Sequence, residues 1–428
     1  MGILGWGFRA TLKVHQSDDE KSIQLKTKDH ESLTFSQFIK NNLPIVDPSK
    51  KLWLSPWLFN GALQTLYYTS ADTSKKFLIY YGRELFTYKD GGICSLDWVI
   101  PPPEDKEEFK RIYKETLPEG FPRLHPRTRY FTKDELESKQ AINQDQDSTK
   151  PIVVIVHGLA GGSHEPLIRN LAESIHDKTS GGWDTMVINS RGCCRTKITT
   201  EKLFSALSIG DVKEVLVEIK KRYPTRPIYA VGFSFGCVLL ANLMGSTEKE
   251  ESDDDLIKAC SLIGCPWDLV DSGHHLESSW SGAYLFSPAL SQFLGKIVKN
   301  NYKDLNSHNS SLFNEDSLKQ CLAIKKLYQF DDLFTCKTIG LANAFEYYKA
   351  GSPKQRMGNI KTPTLIVNAT DDPAVGIKLP IKEVEANPYL AMVESDLGGH
   401  LGFVQSSGKF WCVEVVEQFF ANFDTIVQ

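Results

Sequence analysis

Six short apolar runs, each closed by turn or polar residues, succeed one another from Pro151 onward: Ile152–Val156, 185–189, 228–231, Ala259–Ile263, 364–367 and 389–393. A run that is apolar at every position, such as Ile-Val-Val-Ile-Val, suits a strand buried on both faces, as in parallel sheets covered by helices. Helix-spaced segments fall between the runs. Val212, Val215, Leu216 and Ile219 recur at i, i+3, i+4 and i+7 behind Asp211, the expected N-cap. Phe410, Val413, Val416 and Phe420 recur at similar spacing over 409–423 and predict a closing helix packed on the sheet. Such alternation folds as stacked βαβ units. The fold class is therefore α/β, a mostly parallel central sheet flanked by helices, with its strands expected in chain order.

Two regions depart from the alternation. Within 53–100 the short runs 77–80 and 85–88, separated by Gly, Asp and Lys, predict antiparallel strands leading into the parallel core. Pro101-Pro102-Pro103 marks a break, and the polar stretch 138–150 reads as a surface loop. The second region, 266–359, is aromatic and helix-patterned, with Tyr284, Phe286, Phe293, Leu327, Tyr328 and Phe330. An insertion there would lie over the carboxyl ends of the strands, where open parallel sheets bind ligands, so a helical cap is expected. The acidic run 248–255 reads as a solvated loop. The organisation is then an amino-terminal extension with leading strands over 1–150, a core of 151–265 and 360–428, and a cap of 266–359.

Composition excludes several classes. Among 428 residues, 41% are apolar and 24% charged, with a net charge of −4 and no Lys/Arg face, so no nucleic-acid partner is expected. Nine cysteines, an odd number without Cys-x-x-Cys spacing, argue against a disulfide framework and a structural zinc. Adjacent Cys193 and Cys194 follow Asn189-Ser190-Arg191-Gly192 and read as part of a structural turn, because neighbouring cysteines do not comfortably ligate one tetrahedral metal. Neither a metal nor an organic cofactor is expected. Arg9 and Lys13 interrupt the apolar residues near Met1, and Trp6 stands where a myristoylation signal wants Ser or Thr. No run of about 18 apolar residues exists. The expectation is an intracellular, non-secreted protein of a reducing compartment, cytoplasmic or touching membranes only peripherally.

The chemistry centres on Gly232-Phe233-Ser234-Phe235-Gly236, a Gly-x-Ser-x-Gly placed between an apolar strand and a helix. That context makes it a nucleophile elbow, which exposes the serine hydroxyl at the sheet edge beside a helix N-terminus. A hydroxyl needs a base to take its proton and an acid to hold that base, following in the order Ser, Asp, His. Asp371-Asp372 comes directly after the run at 364–367, and His400 sits in Gly398-Gly399-His400-Leu401-Gly402 after the run at 389–393. His274, His275 and His157 compete poorly for the base. The residues alone leave Asp371 and Asp372 unseparated: one would hold the imidazole while the other caps the following turn. Acyl transfer also needs amide donors at the developing oxyanion. His157-Gly158-Leu159-Ala160-Gly161-Gly162 follows the first core strand, and the backbone N–H groups of Leu159 and Phe235 are assigned that part. No Gly-Lys-Ser/Thr follows, so the loop is not a phosphate cradle.

Elbow, loop and residue order resemble the α/β-hydrolase superfamily. Asp331, Gly340-Leu341, Glu346-Tyr347-Tyr348, Ser352, Ile360, Pro363, Leu365, Val367 and Asp371-Asp372 are similar to the signature of its AB hydrolase 4 family. Trp6-Gly7, Leu58-Phe59-Asn60-Gly61 with Leu63-Gln64-Thr65, and Gly91-Gly92 with Leu96-Asp97-Trp98 resemble the fungal medium-chain fatty acid ethyl ester synthase/esterases and a related monoacylglycerol lipase. In that signature the final Asp is fixed and its predecessor may be Asn, so the resemblance makes Asp372 the triad acid. It implies hydrolysis of medium-chain esters, and acyl transfer from acyl-CoA to ethanol or another short alcohol, through one acyl-Ser234 intermediate. The same residues would serve a monoacylglycerol lipase. A non-catalytic lipid-droplet binding scaffold is the alternative from another class, and the intact Ser234, Asp372 and His400 speak against it. The resemblance also implies peripheral contact with lipid droplets, endoplasmic reticulum or the mitochondrial outer membrane.

Overall fold

The computed structural model describes residues 8–71, 75–141, 149–178, 182–247, 255–307, 310–376 and 378–428. Trp6-Gly7, most of the acidic run (248–254) and residues 142–148 of the expected loop lie outside them.

Among the described residues, eleven strands form one mixed, mostly parallel sheet, in the spatial order Lys51–Trp53, Arg9–Gln16, Leu390–Ser395, Thr364–Ala369, Ala259–Ile263, Ile228–Phe233, Ile152–Val156, Asp184–Asn189, Ile93–Ile100, Tyr80–Thr87, Thr128–Tyr130. The six strands from Leu390–Ser395 to Asp184–Asn189 run parallel. Side chains alternate across them. Val153 and Ile155 face a cluster built with Leu171, Val413 and Phe420, whereas Ile152, Val154 and Val156 face one built with Val212, Leu216 and Leu239. Both faces are thus covered, by Pro166–Lys178 and Trp411–Ile426 on one side and by Ile209–Arg222 and Phe235–Met244 on the other.

The core strands do not follow chain order. Asp184–Asn189 lies on one side of Ile152–Val156, and the next strand, Ile228–Phe233, returns to the other. Right-handed crossovers explain this, because helices reach both faces only if the winding direction reverses. The reversal opens a crevice between Ile152–Val156 and Ile228–Phe233, where ligands bind in open α/β sheets.

Three local expectations also change. The helix at 209 starts behind Ser208, so Asp211 is inside its first turn rather than capping it; its carboxylate instead receives Arg191 Nε at 2.6 Å and Nη2 at 2.9 Å. Runs 77–80 and 85–88 are not separate strands. Tyr80–Thr87 is one strand, antiparallel to Ile93–Ile100 across a turn at Gly91 (φ 81°), and a helix, Gly61–Ser70, precedes it. Residues 138–141 finish the helix Lys133–Ala141 instead of looping. Between the strands Ala259–Ile263 and Thr364–Ala369 the chain leaves the sheet as successive helices, Leu269–Ser278, Ser287–Asn300 and Ala344–Gly351 among them.

Candidate active site

Strand Ile228–Phe233 turns into helix Phe235–Met244 at Ser234, whose backbone takes φ 52° and ψ −114°. A non-glycine residue holds that conformation only where its surroundings over-determine it. Both flanking glycines are required sterically. A Cβ on Gly232 would lie 2.7 Å from the Cys237 nitrogen, and one on Gly236 would lie 2.1 Å from the Val156 carbonyl oxygen. The Ser234 N–H donates to the Ile263 carbonyl at 2.9 Å, tying the turn to the neighbouring strand.

Ser234, His400 and Asp372 meet, although 166 and 28 residues separate the successive pairs. Asp372 is buried and its ionised carboxylate only accepts, so His400 Nδ1–H donates to Asp372 Oδ2 at 2.8 Å. That leaves the Nε2 lone pair to accept the Ser234 hydroxyl at 2.7 Å. Asp372 Oδ1 also accepts the N–H groups of Ala374 and Val375 at 2.8 and 3.0 Å, so one aspartate both holds the imidazole and caps the turn. Asp371 has a different task. Its Oδ1 accepts Gly398 and Gly399 N–H at 3.0 and 2.8 Å, fastening the loop that carries His400, and burial pushes its carboxyl up to about 6.

Helix Gly61–Ser70 fixes the same loop from the other side. Thr65 Oγ1 accepts the His400 N–H at 2.8 Å while donating to the Gly61 carbonyl, and Gln64 Oε1 accepts the Val404 N–H at 2.8 Å. Sequence reasoning passed over this helix, although the block Asn60-Gly61 with Gln64-Thr65 stood out in the resemblance. Gly61 sits so close that a Cβ would fall 2.0 Å from the Asp371 carbonyl oxygen.

Leu159 and Phe235 line the cavity that holds Ser234 and His400. Phe235 opens its helix, so its N–H is one of the four amides that an α-helix leaves without an internal partner. His157 is a structural member of the loop: Nδ1–H donates to the Gly158 carbonyl, Nε2 accepts the Ser190 N–H, and burial pushes its pKa down.

The cavity has a volume of about 330 Å³, and its wall away from Ser234 is apolar, with Leu276, Phe286, Leu290 and Leu294 from the helices after residue 266. Two carboxylates, Glu165 and Asp331, interrupt the lining, and Asp331 lies among the helices after residue 266. Burial pushes its carboxyl up to about 6, and it accepts Thr335 Oγ1–H and Tyr348 O–H, both at 2.7 Å. Three further metal-ligating side chains, His125, His164 and Cys194, gather outside the cavity lining; spacing in the chain gave no sign of that group.

The family of the alpha/beta hydrolase fold matches residues 151–407. A medium-chain fatty acid ethyl ester synthase/esterase of Saccharomyces cerevisiae is 39% identical over 99% of this chain and 97% of its own length. A monoacylglycerol lipase of the same yeast is 32% identical over 96% of this chain and 90% of its own. A phospholipase of Bos taurus is 26% identical over 87% and 77%. The elbow and its ordered partners on a parallel sheet, together with a family match over more than half its length, establish that this chain belongs to the alpha/beta-hydrolase family.

Proposed function

We propose that this protein is a serine esterase and acyltransferase that carries its acyl group on Ser234. The observation that supports this most is the unbroken hydrogen-bonded chain from Ser234 through His400 to Asp372 at the foot of an apolar cavity. His400 takes the hydroxyl proton as Oγ attacks the ester carbonyl, and Asp372 steadies the imidazolium. The N–H groups of Leu159 and Phe235 receive the oxyanion, and His400 returns the proton to the leaving alcohol or thiol. Water or an alcohol, activated by the same imidazole, then releases the acyl group. Metal or cofactor chemistry has no part in this scheme.

The apolar wall suits a fatty chain, and the yeast relative named for medium-chain ethyl esters supports medium-chain acyl esters, or acyl-CoA with ethanol or another short alcohol, as substrates. The lipase relative supports a second reading, in which monoacylglycerol is the ester cleaved. Among the described residues no helix is long and apolar enough to cross a membrane. Peripheral contact with lipid is supported by Trp280 and Tyr284, 71% and 70% exposed, close in sequence to Leu285, which lines the cavity.

The test is turnover of p-nitrophenyl octanoate beside a Ser234→Ala control, where equal rates would sink the enzyme reading. Octanoyl-CoA with ethanol then measures ethyl octanoate against free octanoate. Absence of ester above the control would leave hydrolysis alone, and faster turnover of monoacylglycerol would favour the lipase reading.

A further inference from the structure

His125, His164 and Cys194 come from three separate loops, yet one ligand atom of each lies within 4.8 Å of the others. His125 precedes the strand Thr128–Tyr130, His164 lies just beyond the glycine-rich loop 158–162, after Ser163, and Cys194 belongs to the turn after strand Asp184–Asn189. The Cys194 Sγ lies 3.5 Å from His164 Nδ1, and the rings of His164 and His125 stack with centroids 4.0 Å apart. Adjacent Cys193 and Cys194 point apart. Cys193 joins the apolar cluster with Ile198, Leu294 and Val298, whereas Cys194 faces the histidines.

The turn is shaped to deliver that sulfur. Cys194 and Arg195 both have positive φ, 49° and 60°, where non-glycine residues pay a conformational cost. Gly162 makes room: a Cβ there would lie 2.4 Å from Cys194 Cβ and 2.9 Å from Sγ. The sulfur is also backed by Ser163 Oγ at 3.4 Å and Arg83 Nη2 at 3.5 Å. The Arg83 charge is neutralised by Asp97, through bonds of 2.7 and 2.8 Å. Polar groups oriented on a ligand atom in this way are what a metal thiolate carries around it.

We propose that His125, His164 and Cys194 form a binding site for a borderline-soft divalent metal of the zinc class. Two imidazoles and one thiolate are a zinc-type donor set, and three protein ligands leave a fourth, open position. Tetrahedral geometry with Zn–S of about 2.3 Å and Zn–N of about 2.0–2.1 Å requires S and N roughly 3.5–3.6 Å apart. The Cys194–His164 pair already stands at 3.5 Å. The His125 ring must turn out of its stack to aim a nitrogen at the same point, and its half-buried place in a loop allows that. Binding forms one S–metal and two N–metal bonds and releases the thiol proton to solvent. His164 is two residues beyond Gly162, so a bound ion would brace the loop that carries Leu159.

The experiment uses the full chain after chelator treatment and dialysis, titrated with Zn²⁺ by calorimetry and with Co²⁺ by absorbance. The expected result is one metal per chain and a sulfur-to-cobalt charge-transfer band. The band disappears in Cys194→Ser, and affinity falls at least about tenfold in His125→Gln. Zn²⁺ raises the melting temperature of the wild type more than that of either variant, and comparing metal-free melts separates lost binding from lost folding. Binding well below one equivalent, a cobalt spectrum without the sulfur band, or affinity indifferent to both substitutions would overturn the site.

Discussion

Asp371 accepts two glycine N–H groups from the loop that carries His400, whereas Asp372 accepts the imidazole itself. The two substitutions therefore have different expected effects. Asp372→Asn removes the charge that orients the imidazole and stabilises its protonated form, and kcat on p-nitrophenyl octanoate should fall by about 10³–10⁴-fold. Asp371→Asn keeps an oxygen in place for the glycine amides, so turnover should stay within roughly tenfold of wild type; the reverse ranking would reassign the acid. Asp371 also has a pH signature. Its carboxyl is raised by burial from 3.8 to about 6, so protonation favours the fold. The contribution is fully present below about pH 4 and lost as pH rises through about 6. Asp371→Asn escapes that loss, and urea unfolding should show the variant gaining on wild type between pH 4 and 7, by roughly 2–3 kcal/mol at most. A stability difference flat in pH would contradict it. The residues alone could not separate these aspartates, because both occupy one turn and only the packing around them differs.

Helix Gly61–Ser70 holds the loop that carries His400 with small and polar side chains, and this is why its sequence does not read as a helix with a core face. Its buried residues are Gly61, Gln64 and Thr65, so no apolar stripe marks the inward side. Thr65→Val deletes the acceptor for the His400 N–H, leaving an amide unpaired at a cost of about 1–3 kcal/mol. Kinetics should show kcat lowered with KM little changed, because the imidazole is displaced while the near-isosteric valine still fills the place of Thr65 in the cavity wall. Gly61→Ala should be worse, since its Cβ would collide with the Asp371 backbone. A Gly61→Ala enzyme with wild-type kcat would show that the loop is held by other contacts. The elbow is the opposite case: its glycines announce the turn, and the structure shows the atoms each would strike.

For the whole molecule, the decisive feature is the reversal of winding at strand Ile152–Val156, which brings the loop 158–162, the elbow and the ends of later strands to one crevice. The helices between 269 and 351 then wall the cavity. Leu290, half-buried on Ser287–Asn300, lines it. Leu290→Trp should shorten the space for an acyl chain, lowering kcat/KM for p-nitrophenyl octanoate while sparing the acetate. With each buried methylene worth about 0.8 kcal/mol, losing contact with three would cost on the order of 60-fold. An unchanged chain-length profile would move the acyl pocket elsewhere.

The amino-acid sequence by itself determined the strands of the core and the turn at Ser234, because apolar runs, helix spacing and glycines act locally and are written contiguously. It also set the chain order Ser234, then the pair Asp371-Asp372, then His400. Tertiary structure decided the rest. Strand order depends on how crossovers cover two faces, and the separate roles of Asp371 and Asp372 depend on which N–H groups reach them. The latch at Thr65 and the meeting of His125, His164 and Cys194 join residues far apart in the chain, so no local pattern carries them.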